Sequence, residues 1–125
     1  MPSTRTLAAA FALGRLVFGV GLLAHPDRVA AGWVGPDAAR APVQVVIRGL
    51  GARDMAISAG ALAALDDDDR LAHWIAAAIA CDLSDIAATL AAPADALPGN
   101  ARWGTVALAG AAAAAGAGLL AGLRR

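Results

Sequence analysis

Apolar residues along the chain fall into four long stretches, about 5 to 24, 42 to 65, 70 to 92 and 102 to 123, parted by short polar breaks. A helix rises about 1.5 Å per residue and a bilayer core is about 30 Å thick, so roughly 20 residues suffice to cross it. Each stretch has that length. Only Trp103 to Leu123 is free of charge; the others carry Arg15, then Arg48, Arg53 and Asp54, then Asp82 and Asp85. The breaks favour helices. Pro42 can open the second at its first turn, "DDDDR" at 66 to 70 forms a tight polar hairpin, and the two prolines of "PADALPGN" stop the third. The second and third helices are therefore expected to be antiparallel neighbours. In the longer link "HPDRVAAGWVGPDAARAP" a short helix from Pro26 to about Trp33, ended by Gly35-Pro36, suits the membrane interface. The pattern predicts an all-α protein: one domain spanning residues 1 to 125, a four-helix transmembrane bundle with a short interfacial helix between its first two helices.

Composition strengthens the membrane reading. Apolar residues make up 59% before 14 glycines are added, and mean hydropathy is +0.63, above the usual soluble range. The N-terminal stretch has the basic start and apolar run of a secretory signal, but Arg15 interrupts the run and no convincing A-x-A site follows. It reads as a retained helix. Trp33, Trp74 and Trp103 stand near predicted helix ends, where indoles either anchor at the interface or simply pack. With both termini cytoplasmic, Arg5, Arg70, Arg124 and Arg125 lie inside and Arg28, Arg40 and Arg102 outside, in the direction of the positive-inside rule. The expected localisation is the cell membrane, multi-pass, with the lipid bilayer as the first partner.

Charge is confined to arginine and aspartate, ten of each, and sums to zero. No clustered basic face exists to displace counterions from phosphate, which excludes nucleic acid as a partner. Cys81, alone in an apolar segment, makes no disulfide framework and no metal-ligand set. His25 and His73 are far apart in depth and read as interface residues, and the four consecutive aspartates lack the spacing and glycine of a calcium loop. No nucleotide fingerprint, GxSxG, HExxH or P-loop occurs, so neither a cofactor nor a metal is expected. Small residues do have a part. Gly49, Ala52, Ala56, Ala59 and Ala63 form one expected helix contact, and Gly110, Gly116 and the alanines between them another, suited to packing, to a homodimer or to a larger membrane complex.

Depth arithmetic gives the embedded charges a purpose. If Leu65 and Arg70 face each other across the hairpin, twelve steps away from it bring Arg53 level with Asp82, and Arg48 falls close to Asp85. On the first helix Arg15 comes level with Met55, beside Asp54. Arg15, Arg48, Arg53, Asp54, Asp82 and Asp85 are thus expected to form one neutral cluster, because an isolated charge at a helix centre costs about 2.5 to 3.5 kcal/mol on insertion scales. Asp82, Asp85 and Thr89 share a face of the third helix with Ile75 and Ala78. The second helix spreads its three charges around its circumference, and Arg48, nearest the outer end, is best placed to curl toward the interface. Several readings stay open. The cluster can serve as a membrane-embedded binding site for a small apolar molecule, lipid or ion; it can be an ionic clasp in a structural or accessory subunit; or its aspartates can perform acid/base catalysis on an apolar substrate, which no recognised catalytic motif supports.

"RGLGARDMAISAG" followed by "CDLSDIAATLAA" resembles the small four-helix membrane proteins of actinobacteria grouped under a domain of unknown function. The resemblance extends from about Leu7 to Leu123 and rests on Arg-x-x-Gly-x-Arg-Asp in the second helix and Asp-x-x-Asp in the third. It implies an integral membrane protein with four helices and carries no activity. Four helices of this composition leave too much apolar surface for a monomer in water. The purified protein is expected to stay monodisperse on size exclusion only in detergent or lipid; a monodisperse detergent-free monomer would overturn this architecture.

Overall fold

The polar breaks in the sequence become helix ends. In the computed structural model, which describes residues 1–125, the chain forms α1 (Thr4–Ala24), α2 (Pro26–Val29), α3 (Ala31–Val34), a 3₁₀ turn (Gly35–Ala39), α4 (Ala41–Ala63), α5 (Asp68–Ala91), a second 3₁₀ turn (Ala94–Ala96) and α6 (Ala101–Leu123), with no strand. Ser3 caps α1, its Oγ accepting the Thr6 N–H at 3.1 Å. The aspartate run is also a cap: Asp67 Oδ1 accepts the Arg70 N–H at 3.0 Å, satisfying one of the free donors at the start of α5. Its neighbour Asp68 receives Arg5 at 2.9 Å, which ties the start of α1 to the start of α5. The predicted interfacial helix is divided at Ala30 into two single turns, α2 and α3. Gly35 ends α3 at φ +69, a conformation that suits glycine, and it packs on Pro98.

Helices α1, α5 and α6 are long and apolar enough to cross a membrane. Helix α4 has the length but carries Arg48, Arg53 and Asp54. Packing is chiefly α1 on α4 and α5 on α6, with a lighter α4–α5 contact that joins the two pairs. At one end α1 also reaches α6, where Thr4 rests on Gly122. The hydrophobic core has two parts, one around Ala8, Ala61, Leu71 and Ile75, the other around Leu22, Ala30, Ala38 and Ile47.

Beside this apolar core the interior also holds polar groups, and large apolar side chains face outward. Asp54, Ser58, Asp82 and Thr89 are buried, whereas Val17, Val45, Val46, Leu83, Trp103 and Leu108 are more than half exposed.

The buried polar groups correct the expected contact face of α4. Gly49, Ala52, Ala56, Ala59 and Ala63 all lie exposed, and the inward face is Ile47, Gly51, Asp54, Ser58 and Ala61. Burying Asp54 and Ser58 sets the rotation of α4, and the alanine stripe then turns outward. The closest approach of α1 and α4 is instead at Gly19 and Gly51: a Cβ on Gly51 would stand 2.6 Å from the Gly19 carbonyl oxygen, and one on Gly19 2.8 Å from that of Gly51. On α6 the small surface is used in part, since Gly116 packs on Ile79 while Gly110 has open space. Trp74 is a packing residue, its ring lying on Gly60.

Two glycines two residues apart, on opposite faces of α4, should therefore respond oppositely to alanine. Gly51→Ala pushes backbone against backbone and is expected to cost about 1–3 kcal/mol, whereas Gly49→Ala, with nothing near its Cβ, is expected to be neutral or to stabilise by up to about 1 kcal/mol through helix propensity. Thermal unfolding of both variants in one detergent checks the signs, and a tolerated Gly51→Ala would remove the close crossing from the fold.

Candidate functional site: a charge cluster beside a cavity

Five charged side chains from three helices meet. Arg15 of α1 lies between two carboxylates, with Nη2 donating to Asp82 Oδ2 at 2.5 Å and Nη1 to Asp54 Oδ1 at 3.4 Å. Arg53 of α4 makes a two-pronged contact with Asp85 of α5, Nη1 to Oδ1 at 3.1 Å and Nη2 to Oδ2 at 2.9 Å, and also donates to Asp54 Oδ1 at 3.2 Å. Paired contacts of this kind fix orientation as well as distance. The Arg15 side chain is only 9% exposed, with its Cζ 5.6 Å from the centre of the Phe11 ring. Its Nε is the one buried side-chain polar atom with no hydrogen-bond partner.

A second tier of hydrogen bonds supports the cluster. Ser58 Oγ donates to the Asp54 carbonyl at 2.6 Å and Thr89 Oγ1 to the Asp85 carbonyl at 2.7 Å, each bonding back one turn in its own helix. The indole N–H of Trp33 on α3 donates to Thr89 Oγ1 at 3.0 Å. Trp33 thereby fastens the link after α1 to the charged face of α5.

The predicted depths bring Arg15, Arg53, Asp54, Asp82 and Asp85 together, with two corrections. Arg53 pairs with Asp85 where level positions pointed to Asp82. Helical side chains lean toward their own N-terminus, so Arg53 leans away from the hairpin while the Asp85 carboxylate on antiparallel α5 leans back toward it. Depth was read at the backbone, and a long side chain moves it by about a turn. The second correction concerns Arg48, which is exposed, donates from Nε to the Leu23 carbonyl at 3.3 Å near the end of α1, and leaves the cluster. It takes the outward position its place near the helix end suggests. The cluster is consequently not neutral. Two arginines face three aspartates, a formal charge of −1.

Beside the cluster is a cavity of about 810 Å³ between α1 and α6. The two helices touch at the Thr4–Gly122 end and part toward the other, where α2 and α3 fold over the gap. Phe11 and Phe18 of α1, Trp33 of α3, and Gly104, Leu108 and Ala112 of α6 form its apolar walls, while Arg15, Asp54, Asp82 and Asp85 form its charged side. Its volume lies within the range of small-molecule pockets. Sequence reasoning missed the aromatic wall. Trp33 could have been found from Thr89, a polar residue on the aspartate face that needed a neighbour; nothing local marked Phe11 or Phe18, two ordinary apolar residues of an apolar helix.

Comparison with family models, with curated proteins and with solved structures finds no match.

The geometry defines a double-mutant test. Arg53→Gln and Asp85→Asn should each destabilise the fold by leaving a partner charge unmet, and the double variant should recover a coupling of about 0.5–3 kcal/mol. The corresponding Arg53/Asp82 cycle should be closer to additive, because those side chains share no contact. Unfolding midpoints of the wild type and the five variants in detergent decide between the pairings, and strong coupling in the Asp82 cycle with none in the Asp85 cycle would reverse the assignment.

Proposed function

We propose that this chain is an integral membrane protein in which all four long helices cross the bilayer as a bundle, and that the cavity between α1 and α6 is a binding site for a small amphiphilic molecule. The observation that carries the reading is the 810 Å³ cavity with apolar walls and one charged side. A bilayer supplies molecules with an apolar body and a polar head, and this cavity has a surface for each. Exposed Val17, Val45, Val46, Leu83 and Leu108 support the membrane assignment, since lipid is the solvent that leaves such side chains at no disadvantage. In that orientation Arg48 and the α2–α3 link lie toward one interface, and both termini and the α4–α5 turn lie together at the other, the cytoplasmic one by the arginine balance. Kinship with the small actinobacterial membrane proteins belongs to the same proposal.

One observation favours a second role for the same residues. Arg15 contacts α4 and α5 at once, so the ion pairs also act as a clasp that sets how α1 docks. The two roles are compatible, because the clasp holds α1, α4 and α5 while the cavity opens on the side of α6.

Gly104 tests the cavity without disturbing the clasp. It lines the cavity from α6 with nothing within 4 Å of where its Cβ would be. Native mass spectrometry of protein extracted from membranes is expected to show a bound small molecule of one mass class, and Gly104→Leu, which puts a side chain into the space, should lower its occupancy at least several-fold with no loss of thermal stability. Identical adduct spectra from both proteins would sink the binding reading.

A further inference from the structure

Charge balance at the cavity narrows what it binds. With Arg48 turned away to the Leu23 carbonyl, the cluster has two guanidinium groups against three carboxylates. No other arginine pairs with the cluster. Arg5 is occupied by Asp68 and Arg40 by Asp37, Arg102 donates to the Leu90 carbonyl, Arg28 on α2 is exposed and makes no ion pair with the three aspartates, and Arg70, Arg124 and Arg125 belong to the far end of the molecule. An uncompensated negative charge among apolar side chains is costly unless an opposite charge joins it.

The three carboxylates are not equally committed. Asp85 gives both oxygens to Arg53 and Asp54 Oδ1 accepts from both arginines, while Asp82 has the single contact of Oδ2 with Arg15 and its Oδ1 receives no hydrogen bond from the protein. Asp82 lines the cavity, as do Phe11, Phe18 and Trp33. Aromatic faces carry negative potential and attract organic cations, more strongly where water is excluded.

We infer that the cavity takes a lipophilic cation, an apolar molecule of a few hundred Å³ with one delocalised or ammonium-type positive charge, seated with its charge toward Asp82 and its body among Phe11, Phe18, Trp33 and Leu108. The inference rests on the proposed binding role of the same cavity and adds the sign of the ligand's charge. Anionic amphiphiles meet three carboxylates there, and neutral ones leave the net charge in place. A cation makes the assembly neutral.

Tetraphenylphosphonium and tetraphenylborate are matched in size and shape and opposite in charge, and triphenylphosphine oxide is a smaller neutral relative. Equilibrium binding of each to the full-length protein in nanodiscs of zwitterionic lipid, with protein-free nanodiscs subtracted, reads the preference directly. Tetraphenylphosphonium is expected to bind saturably, one per chain, with Asp82→Asn weakening it at least tenfold and Gly104→Leu doing the same from the opposite wall. Should Asp82→Asn fail to fold, Gly104→Leu and the charge series still decide. Saturable binding of tetraphenylborate or the phosphine oxide, lost in Gly104→Leu, with no advantage for the cation, would overturn the charge assignment and leave the binding site standing. No saturable binding of any of the three, and no effect of Gly104→Leu, would overturn both.

Discussion

The contact on which the rest of this structure depends is Arg15 between Asp54 and Asp82. Each of the three residues belongs to a different helix, and their side chains are at most 9% exposed, so the position of α1 against α4 and α5 is set by a demand that another register would leave unmet. Apolar contacts among alanine-rich helices are almost interchangeable, one alanine face packing much like the next. Ion pairs are not interchangeable. Sliding α1 by one turn would remove Arg15 from both carboxylates, and leaving a buried charge without its partner costs about 3–5 kcal/mol. The Gly19–Gly51 crossing is the complement of this arrangement, because α1 and α4 must come close for Arg15 to reach Asp54, and only residues without a Cβ allow it.

Charges also decide which way α4 faces. A helix of alanine, glycine and valine has little amphipathic preference, and on packing alone the Gly49 to Ala63 stripe is a better contact surface than the face in use. Turning that stripe inward would rotate Asp54 and Ser58 outward. The structure instead spends its small-residue face on the exterior and fills the interior with Asp54 and its partners. Polar burial outweighs small-residue packing here, since desolvating one unmet carboxylate costs more than a few contacts among alanines return.

The number of long helices, their approximate ends and the approximate backbone level of each charge were legible in the sequence because they depend on spacing along one chain. Proline, glycine and the aspartate run mark ends by local chemistry, and rise per residue converts numbering to depth. Azimuth and side-chain direction were not legible. Arg53 chooses Asp85 over Asp82 through the lean of helical side chains, and Arg48 leaves the cluster because the Leu23 carbonyl is within its reach, a contact between segments far apart in sequence. The cavity lay further still from the sequence. It exists because α1 and α6 meet at Thr4 and Gly122 and diverge from there, and no residue type announces a divergence.

The four long helices are not held equally, and the difference falls where the cavity is. Helices α1, α4 and α5 share the ion pairs, so moving any one of them strands a charge. Helix α6 has no charge between Trp103 and Leu123; it is held by Gly116 against Ile79, by Gly122 against Thr4, and by Arg102 on the carbonyls that end α5. Those contacts lie along the α5 side and at the two ends. Along its middle, from Gly104 to Ala115, the side of α6 turned toward α1 borders the cavity. A displacement of the middle of α6 therefore widens or narrows the cavity chiefly at the expense of dispersion contacts, each worth only about 0.1–0.2 kcal/mol, while the charged side stays where the ion pairs put it. Under the proposed binding role, a rigid polar side facing a compliant apolar wall would suit ligands of one head-group chemistry and several body shapes.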